Sequence, residues 1–367
     1  MSVDDFTPLL DPPVFAAASF APLADRLKRL FGTDNDLVFI QAEALLALEA
    51  AALSLGRPGL VAVNVVTSPY GRYFGAWLRR GGAEVVDVVA PFGQPVAAEA
   101  VADAIGSLAR VDLVAIVHGE AANGALNPLE AVAALAKSAN ALLVVDAVAS
   151  AGGHVVDIDG LGIDLCVLGP QKALGGPVGL SLATVSARAW EAMQAAPRFS
   201  PSLLSLLDIK EAWLDRGRGA LPGTPAPLEF RALAAALDRL ETEGLLARIA
   251  RHQRAAKASR AGLRALGVAP WITDDASASA LVTAAPVPEG IDAETLIAAA
   301  GRFGVALGRG FGDIEHRLVR LDHTGSRAAF GPVLANVVAY GAALEALGHA
   351  VDIGAGAAAV TAVYRED

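Results

Sequence analysis

The 367-residue chain contains one cysteine, Cys166, which rules out an internal disulfide and fits a reducing compartment. Positive charge is in short supply. With 29 Lys and Arg against 39 Asp and Glu the net charge is −10, so neither nucleic acid nor an anionic membrane surface is expected as a partner. No uninterrupted apolar run reaches the roughly 18 residues needed to cross a bilayer, although 54% of residues are hydrophobic, largely Ala, Val and Leu. The start, Met1-Ser2-Val3-Asp4-Asp5, lacks the basic residues and apolar stretch of a secretory signal, and a cytoplasmic protein is expected. No Gly-x-Gly-x-x-Gly follows an early strand, which argues against a nicotinamide-dependent oxidoreductase; Gly308-Arg309-Gly310-Phe311-Gly312 comes too late in the chain. The six histidines show no ligand spacing, so no metal is expected. Repeats and low-complexity tracts are absent as well.

What is present is an α/β pattern. Short apolar runs alternate with Ala/Leu-rich helical stretches at Val38–Ile40, Leu60–Val66, Glu84–Val89, Val111–His118, Ala141–Asp146, Asp164–Leu168 and Val178–Val185. Continuous rather than alternating apolar runs predict strands covered on both faces, as in a mainly parallel seven-stranded sheet between helices. After an irregular stretch, Pro197–Pro227, come helices over Leu228–Glu243 and Leu245–Leu266. A strand near Ala278–Ala285, a helix near Ala293–Phe303, a strand near His316–Leu321 and a helix near Ala328–Leu347 follow. The expected organisation is a large domain over residues 1–225 and a smaller C-terminal α+β domain over 226–367.

Two residues in the large half carry most of the chemical information. Asp146 closes one buried strand, and Lys172 lies just past the next in Gly169-Pro170-Gln171-Lys172-Ala173-Leu174-Gly175-Gly176. Ligands of such sheets bind at the carboxyl ends of strands, so the acid and the lysine can face one crevice. Either alone has a plain structural reading, as a cap or a solvated charge. Together they suit pyridoxal chemistry: a lysine amine condenses with the aldehyde as a Schiff base, and a carboxylate keeps the ring nitrogen protonated.

The chain also resembles the class V aminotransferases of fold type I, the group of alanine–glyoxylate and serine–pyruvate aminotransferases, from about Asp11 to its C-terminus. The resemblance rests on Val144-Val145-Asp146-Ala147-Val148-Ala149-Ser150, Gly169-Pro170-Gln171-Lys172-Ala173-Leu174, His118-Gly119-Glu120, Asn123-Gly124 and Arg320-Leu321-Asp322-His323-Thr324-Gly325. It implies that Lys172 forms the Schiff base, that Asp146 partners the ring nitrogen, that Val148 packs under the ring with Gln171 beside the lysine, and that Tyr70 stacks on the other face. His118 falls at the carboxyl end of its strand, among the ring-binding candidates. Arg320 would grip the substrate carboxylate, with Arg309 as a second contact, and Thr224 would reach a neighbouring subunit's site in a homodimer. The implied reaction passes an amino group from a small donor to a 2-oxo acid such as pyruvate or glyoxylate, with pyridoxal 5′-phosphate as cofactor.

Three departures from the family pattern stand out. The segment matching its phosphate-binding turn, Ile40-Gln41-Ala42-Glu43-Ala44-Leu45-Leu46, has no glycine and carries Glu43 where a serine belongs. A carboxylate there is the pattern of the pyridoxamine–pyruvate branch, in which unphosphorylated pyridoxamine is a substrate; Glu43 and Ala44 would then meet a 5′-hydroxyl. Ala121 and Ala122 replace a hydroxyl residue near the ring's 3′-oxygen, and no counterpart of the family's N-terminal covering arm is expected in the short stretch before the first helix. Two further activities compete within this reading. A desulfurase needs an exposed cysteine, and Cys166 lies in a core strand; a vitamer-binding protein with little catalysis is the other.

Overall fold

The computed structural model describes residues 9–91, 93–196 and 201–366. The larger sheet comprises β1 (Asp36–Ile40), β2 (Val61–Val66), β3 (Glu84–Val89), β4 (Leu113–Val117), β5 (Leu142–Asp146), β6 (Leu165–Leu168) and β7 (Ser181–Val185), in the order β1-β7-β6-β5-β4-β2-β3. Pairing is parallel from β3 through β6. The one reversed strand, β7, pairs antiparallel with both β6 and β1. Strands β4 to β7 are buried along their whole length, as continuous apolar runs require. Because β2 has β3 on one side and β4 on the other, strand order reverses there, opening a crevice beyond the carboxyl ends of β2 and β4.

Helices α1 (Phe20–Phe31), α2 (Ala44–Leu55), α3 (Pro69–Arg80), α4 (Ala98–Gly106), α5 (Leu129–Ser138) and α6 (Ala187–Gln194) accompany this sheet. The stretch read as irregular holds a short helix, α7 (Leu206–Ala212), with Ser205 as its N-cap; residues 197–200 lie outside the described ones. Next come α8 (Pro227–Glu243) and α9 (Leu245–Ala265), broken at Gly244, which adopts φ 85°. Although α8 follows the division expected at residue 225, its Phe230, Leu233, Leu237 and Leu240 pack into the core of the larger sheet with Phe20 and Phe39. A second sheet of β8 (Val282–Pro286), β9 (Gly308–Arg309) and β10 (Leu318–Asp322) is antiparallel, with β10 central. It shares a separate core with α9, α10 (Ala293–Gly301), α11 (Phe330–Ala346) and α12 (Ile353–Val363).

Candidate active site

A cleft of about 260 Å³ opens at the crevice where strand order reverses. Asp146 reaches it as the last residue of β5; its Oδ1 accepts from the Val148 amide at 2.9 Å. Burial pushes the Asp146 carboxyl up to about 6, opposed by that amide and by Lys172. Lys172 enters from the turn after β6. There the Lys172 amide donates to Gly169 O, and Gly175 and Gly176 donate back to Lys172 O and Pro170 O. Gly169 is required, because a Cβ there would lie 2.6 Å from both Gln171 Oε1 and Val148 Cγ1. The turn is tied to α9 by buried Arg248, whose Nη1 donates to Ala173 O and Leu174 O. Burial, helped by Arg320, lowers the proton affinity of the Lys172 amine, while Asp322, Asp146 and Glu43 act the other way.

Tyr70 lines the same cleft from the first turn of α3. Pro69 opens that helix, and Ser68 caps it by accepting from the Tyr70 amide. The Tyr70 ring stacks on Phe311 with centroids 5.7 Å apart. Glu43 precedes α2 and makes no capping bond with its side chain; together with Ala44 it lines the cleft, and its charge acts on Asp146, Lys172 and Tyr70. Val148 and Gln171 complete the lining predicted from the sequence, and Gly119, Ala121, Leu45, Leu48 and Val178 add to it.

Arg320 stands on β10 directly across from Gly308 of β9. Its Nη1 donates to Ala121 O at 2.9 Å, and Asp322 lies 4.0 Å from Nη2. Nε is buried and unpartnered. One nitrogen of the guanidinium is thereby fixed while Nε keeps an unused N–H, a donor that a carboxylate could take up. Gln171 Oε1 is a second buried polar atom without a partner on the cleft wall. An acid, an amine and an orphaned amide oxygen on one cleft, with a guanidinium beside it that keeps an unused N–H, fit a pyridoxal ring bearing a carboxylate substrate.

Four predicted residues do not line this cleft: Arg320, which is joined to its wall through Ala121 O, and His118, Arg309 and Thr224. His118 is buried at the end of β4 with its ring 5.8 Å from that of His154, and burial lowers it to about 4. Arg309 is exposed and paired with Glu294, the surface ion pair that its flanking glycines also allow. Thr224 is exposed in the loop before α8. Sequence reasoning passed over Asp322, Phe311 and Glu120. The alternation of a strand puts Asp322 on the face of Arg320, so that residue was within reach. Phe311 depends on a loop path that no local pattern encodes.

The class V aminotransferase family model matches residues 23–330, and the chain belongs to that family. It is an aminotransferase on the fold shared by pyridoxal-dependent enzymes of type I. Among curated relatives, the pyridoxamine–pyruvate transaminase of Mesorhizobium japonicum is 36% identical over 95% of this chain and 88% of its own length. The solved pyridoxamine–pyruvate aminotransferase of Mesorhizobium loti superposes with a TM-score of 0.90 at 35% identity, covering 95% of this chain and 89% of the other. The ureidoglycine–glyoxylate aminotransferase of Bacillus subtilis does so with a TM-score of 0.88 at 25% identity, covering 99% and 95%. Among the described residues no helix is long and apolar enough to cross a membrane, and no His, Cys, Asp or Glu group could hold a metal ion.

Proposed function

We propose that this aminotransferase acts on an unphosphorylated ring, taking the amino group of free pyridoxamine and passing it to a small 2-oxo acid of the pyruvate type. The products are pyridoxal and the matching amino acid. Glu43 carries this reading. It sits at the start of α2, where a phosphate would look for free amides and a helix dipole, yet it presents a carboxylate to the cleft from a turn without glycine. Two anions about 4 Å apart repel strongly outside bulk water, whereas a 5′-hydroxyl can donate to the carboxylate. The likeness to transaminases named for pyridoxamine and pyruvate supports the same choice.

A pyridoxal ring in the cleft supplies an aldehyde for a lysine and an electron sink once its nitrogen is protonated. Lys172 Nζ, with its proton affinity lowered by burial, takes a proton from the substrate carbon and returns it as an acid. Asp146, buried yet still mostly ionised at neutral pH, holds the ring nitrogen's proton. Tyr70 and Val148 confine the ring, and Arg320, held beside the cleft by Ala121 O with its Nε–H unused, receives the 2-oxo acid's carboxylate. The reading includes a cytoplasmic homodimer with a shared site. In its favour, Gly179 donates to Glu229, which brings two exposed apolar residues, Val178 on the cleft and Leu228 of α8, to one edge.

Titrating pyridoxal, pyridoxamine and their 5′-phosphates into ring-free protein, followed by visible absorbance, tests the proposal. Wild type should prefer the unphosphorylated forms by roughly tenfold or more, and Glu43→Ser should narrow or invert that preference. Tight binding of the 5′-phosphate, unchanged by Glu43→Ser, would mean an ordinary phosphate-anchored alanine or serine aminotransferase. Ring uptake without alanine formation from pyridoxamine and pyruvate would mean a vitamer-binding protein.

A further inference from the structure

Glu120 is fully buried next to the cleft but does not line it. Its Oε1 accepts from the Thr67 hydroxyl, and its Oε2 has no hydrogen-bond partner. The direction of the first bond follows from Asn127. That amide's Oδ1 receives the Val96 N–H, so its Nδ2 donates, once to Val117 O at 2.7 Å and once to Thr67 Oγ1 at 2.9 Å. Thr67 therefore spends its single hydrogen on Glu120 Oε1. Oε2 is left as a buried oxygen that, if charged, nothing in hydrogen-bond geometry satisfies. The Ser68 hydroxyl lies close enough to act on the carboxyl, and that hydroxyl also accepts from the Tyr70 amide at the start of α3.

We propose that Glu120 is a positioning residue: as a neutral acid it accepts from Thr67, donates from Oε2 to Ser68, and so sets Tyr70 against the cleft, a placement that loosens when the proton leaves. The inference rests on the cleft being the ring site. Burial favours the neutral form of Glu120 and outweighs the Ser68 and Thr67 hydroxyls, which pull the other way. Asp146 on β5 acts on it as a like charge; Tyr70 on α3 is neutral, His118 on its own segment is held neutral by burial, and the Arg320 guanidinium on β10 is engaged by Ala121 O. Burial pushes the Glu120 carboxyl up to about 7, so the switch falls in the neutral range. Gln imitates the neutral acid, with an oxygen for Thr67 and an N–H for Ser68.

Three variants test this, Glu120→Gln, Glu120→Ala and Tyr70→Leu, with circular dichroism to confirm folding. Pyridoxal affinity, read by absorbance, should be within about twofold of wild type for Glu120→Gln at acidic pH and weakened about tenfold for Glu120→Ala. In the Tyr70→Leu background Glu120→Ala should cost less than about twofold, because the two act as one unit. The ratio of wild-type to Glu120→Gln dissociation constants, which cancels the titration of Lys172, should rise about fivefold or more between pH 6 and 8.5. Amide exchange of the peptide spanning residues 67–72, corrected for intrinsic rate, should accelerate over the same range in wild type and not in Glu120→Gln. A flat ratio, or an equal cost of Glu120→Ala with and without Tyr70, overturns the proposal. Should wild type take up no ring, the ring-site reading fails and the exchange arm still decides whether Glu120 holds the start of α3.

Discussion

Lys172 lines the cleft and Arg320 is held beside it through Ala121 O, and each has a substitution with a distinct signature. Lys172→Ala should lose the visible band and the borohydride-fixed adduct that pyridoxal gives with wild type, since no other lysine lines the cleft; an adduct that persists would reassign the reactive amine. Arg320→Ala should raise KM for the 2-oxo acid by a factor on the order of 10², the cost of a carboxylate losing its charged partner. Gly308 gives a subtler test. A Cβ there would lie 3.0 Å from both Nε and Nη2 of Arg320, so Gly308→Ala should tilt the guanidinium. The expected result is a KM about tenfold higher with unchanged ring affinity; equal losses in both would place Gly308 in folding rather than carboxylate recognition. Asp146, Lys172 and Glu43 were legible in the sequence because Asp146 closes a strand, the other two lie just past one, and each departs from what a bare loop needs. Neither the Ala121 carbonyl that steadies Arg320 nor the hydrogen bonds of Glu120 could be read there, because both depend on how two distant loops meet.

Helices and strands show the same limit from another side. The strand expected from Ala278 begins only at Val282, because the preceding residues bridge loops. Ser277 O accepts from Leu126, Ser279 donates to Gly124 O and Ala280 donates to His154. The last helix, α12, reads Ile353-Gly354-Ala355-Gly356 and onward with no polar face to give it a period, and it was missed. Its place is explained by packing on α9 and α11. Gly262 of α9 faces Val360 and Val337 so closely that a Cβ would meet their methyls at 2.8–2.9 Å. Alanine has the better helix propensity by roughly 1 kcal/mol, but overpacking against stiff β-branched side chains costs typically 1–3 kcal/mol. Gly262→Ala should therefore lower the urea midpoint. A stabilised variant would show that this three-helix contact can yield.

On the scale of the whole molecule, four buried or half-buried histidines sit near where the two sheets meet, and all are held neutral. Burial lowers His118 and His252 to about 4 and His154 and His323 to about 3. Three of them join segments: His154 accepts from Ala280, His252 from Gly325, and His323 bonds Thr283 across β8 and β10. A histidine whose folded value is depressed stabilises the fold above its unfolded value near 6.5, and that stability is lost as pH falls toward the folded value. Asp146 and Glu120 act in the opposite sense. Their folded values are raised, so their contribution is present at low pH and lost as pH rises through about 6 and about 7. Between pH 6.5 and 4.5 four histidines outweigh two acids, and below that the acids contribute no further change. Stability should thus be greatest near neutrality and fall with increasing slope toward pH 4. Melting temperatures measured from pH 7.5 to 4 check this, and His252→Gln, which keeps an acceptor for Gly325 without a titrating ring, should flatten the acid limb. A profile that is flat to pH 4.5 in wild type would mean that the histidine-lined junction opens to water without cost, and that the two sheets are joined by the apolar contacts around them instead.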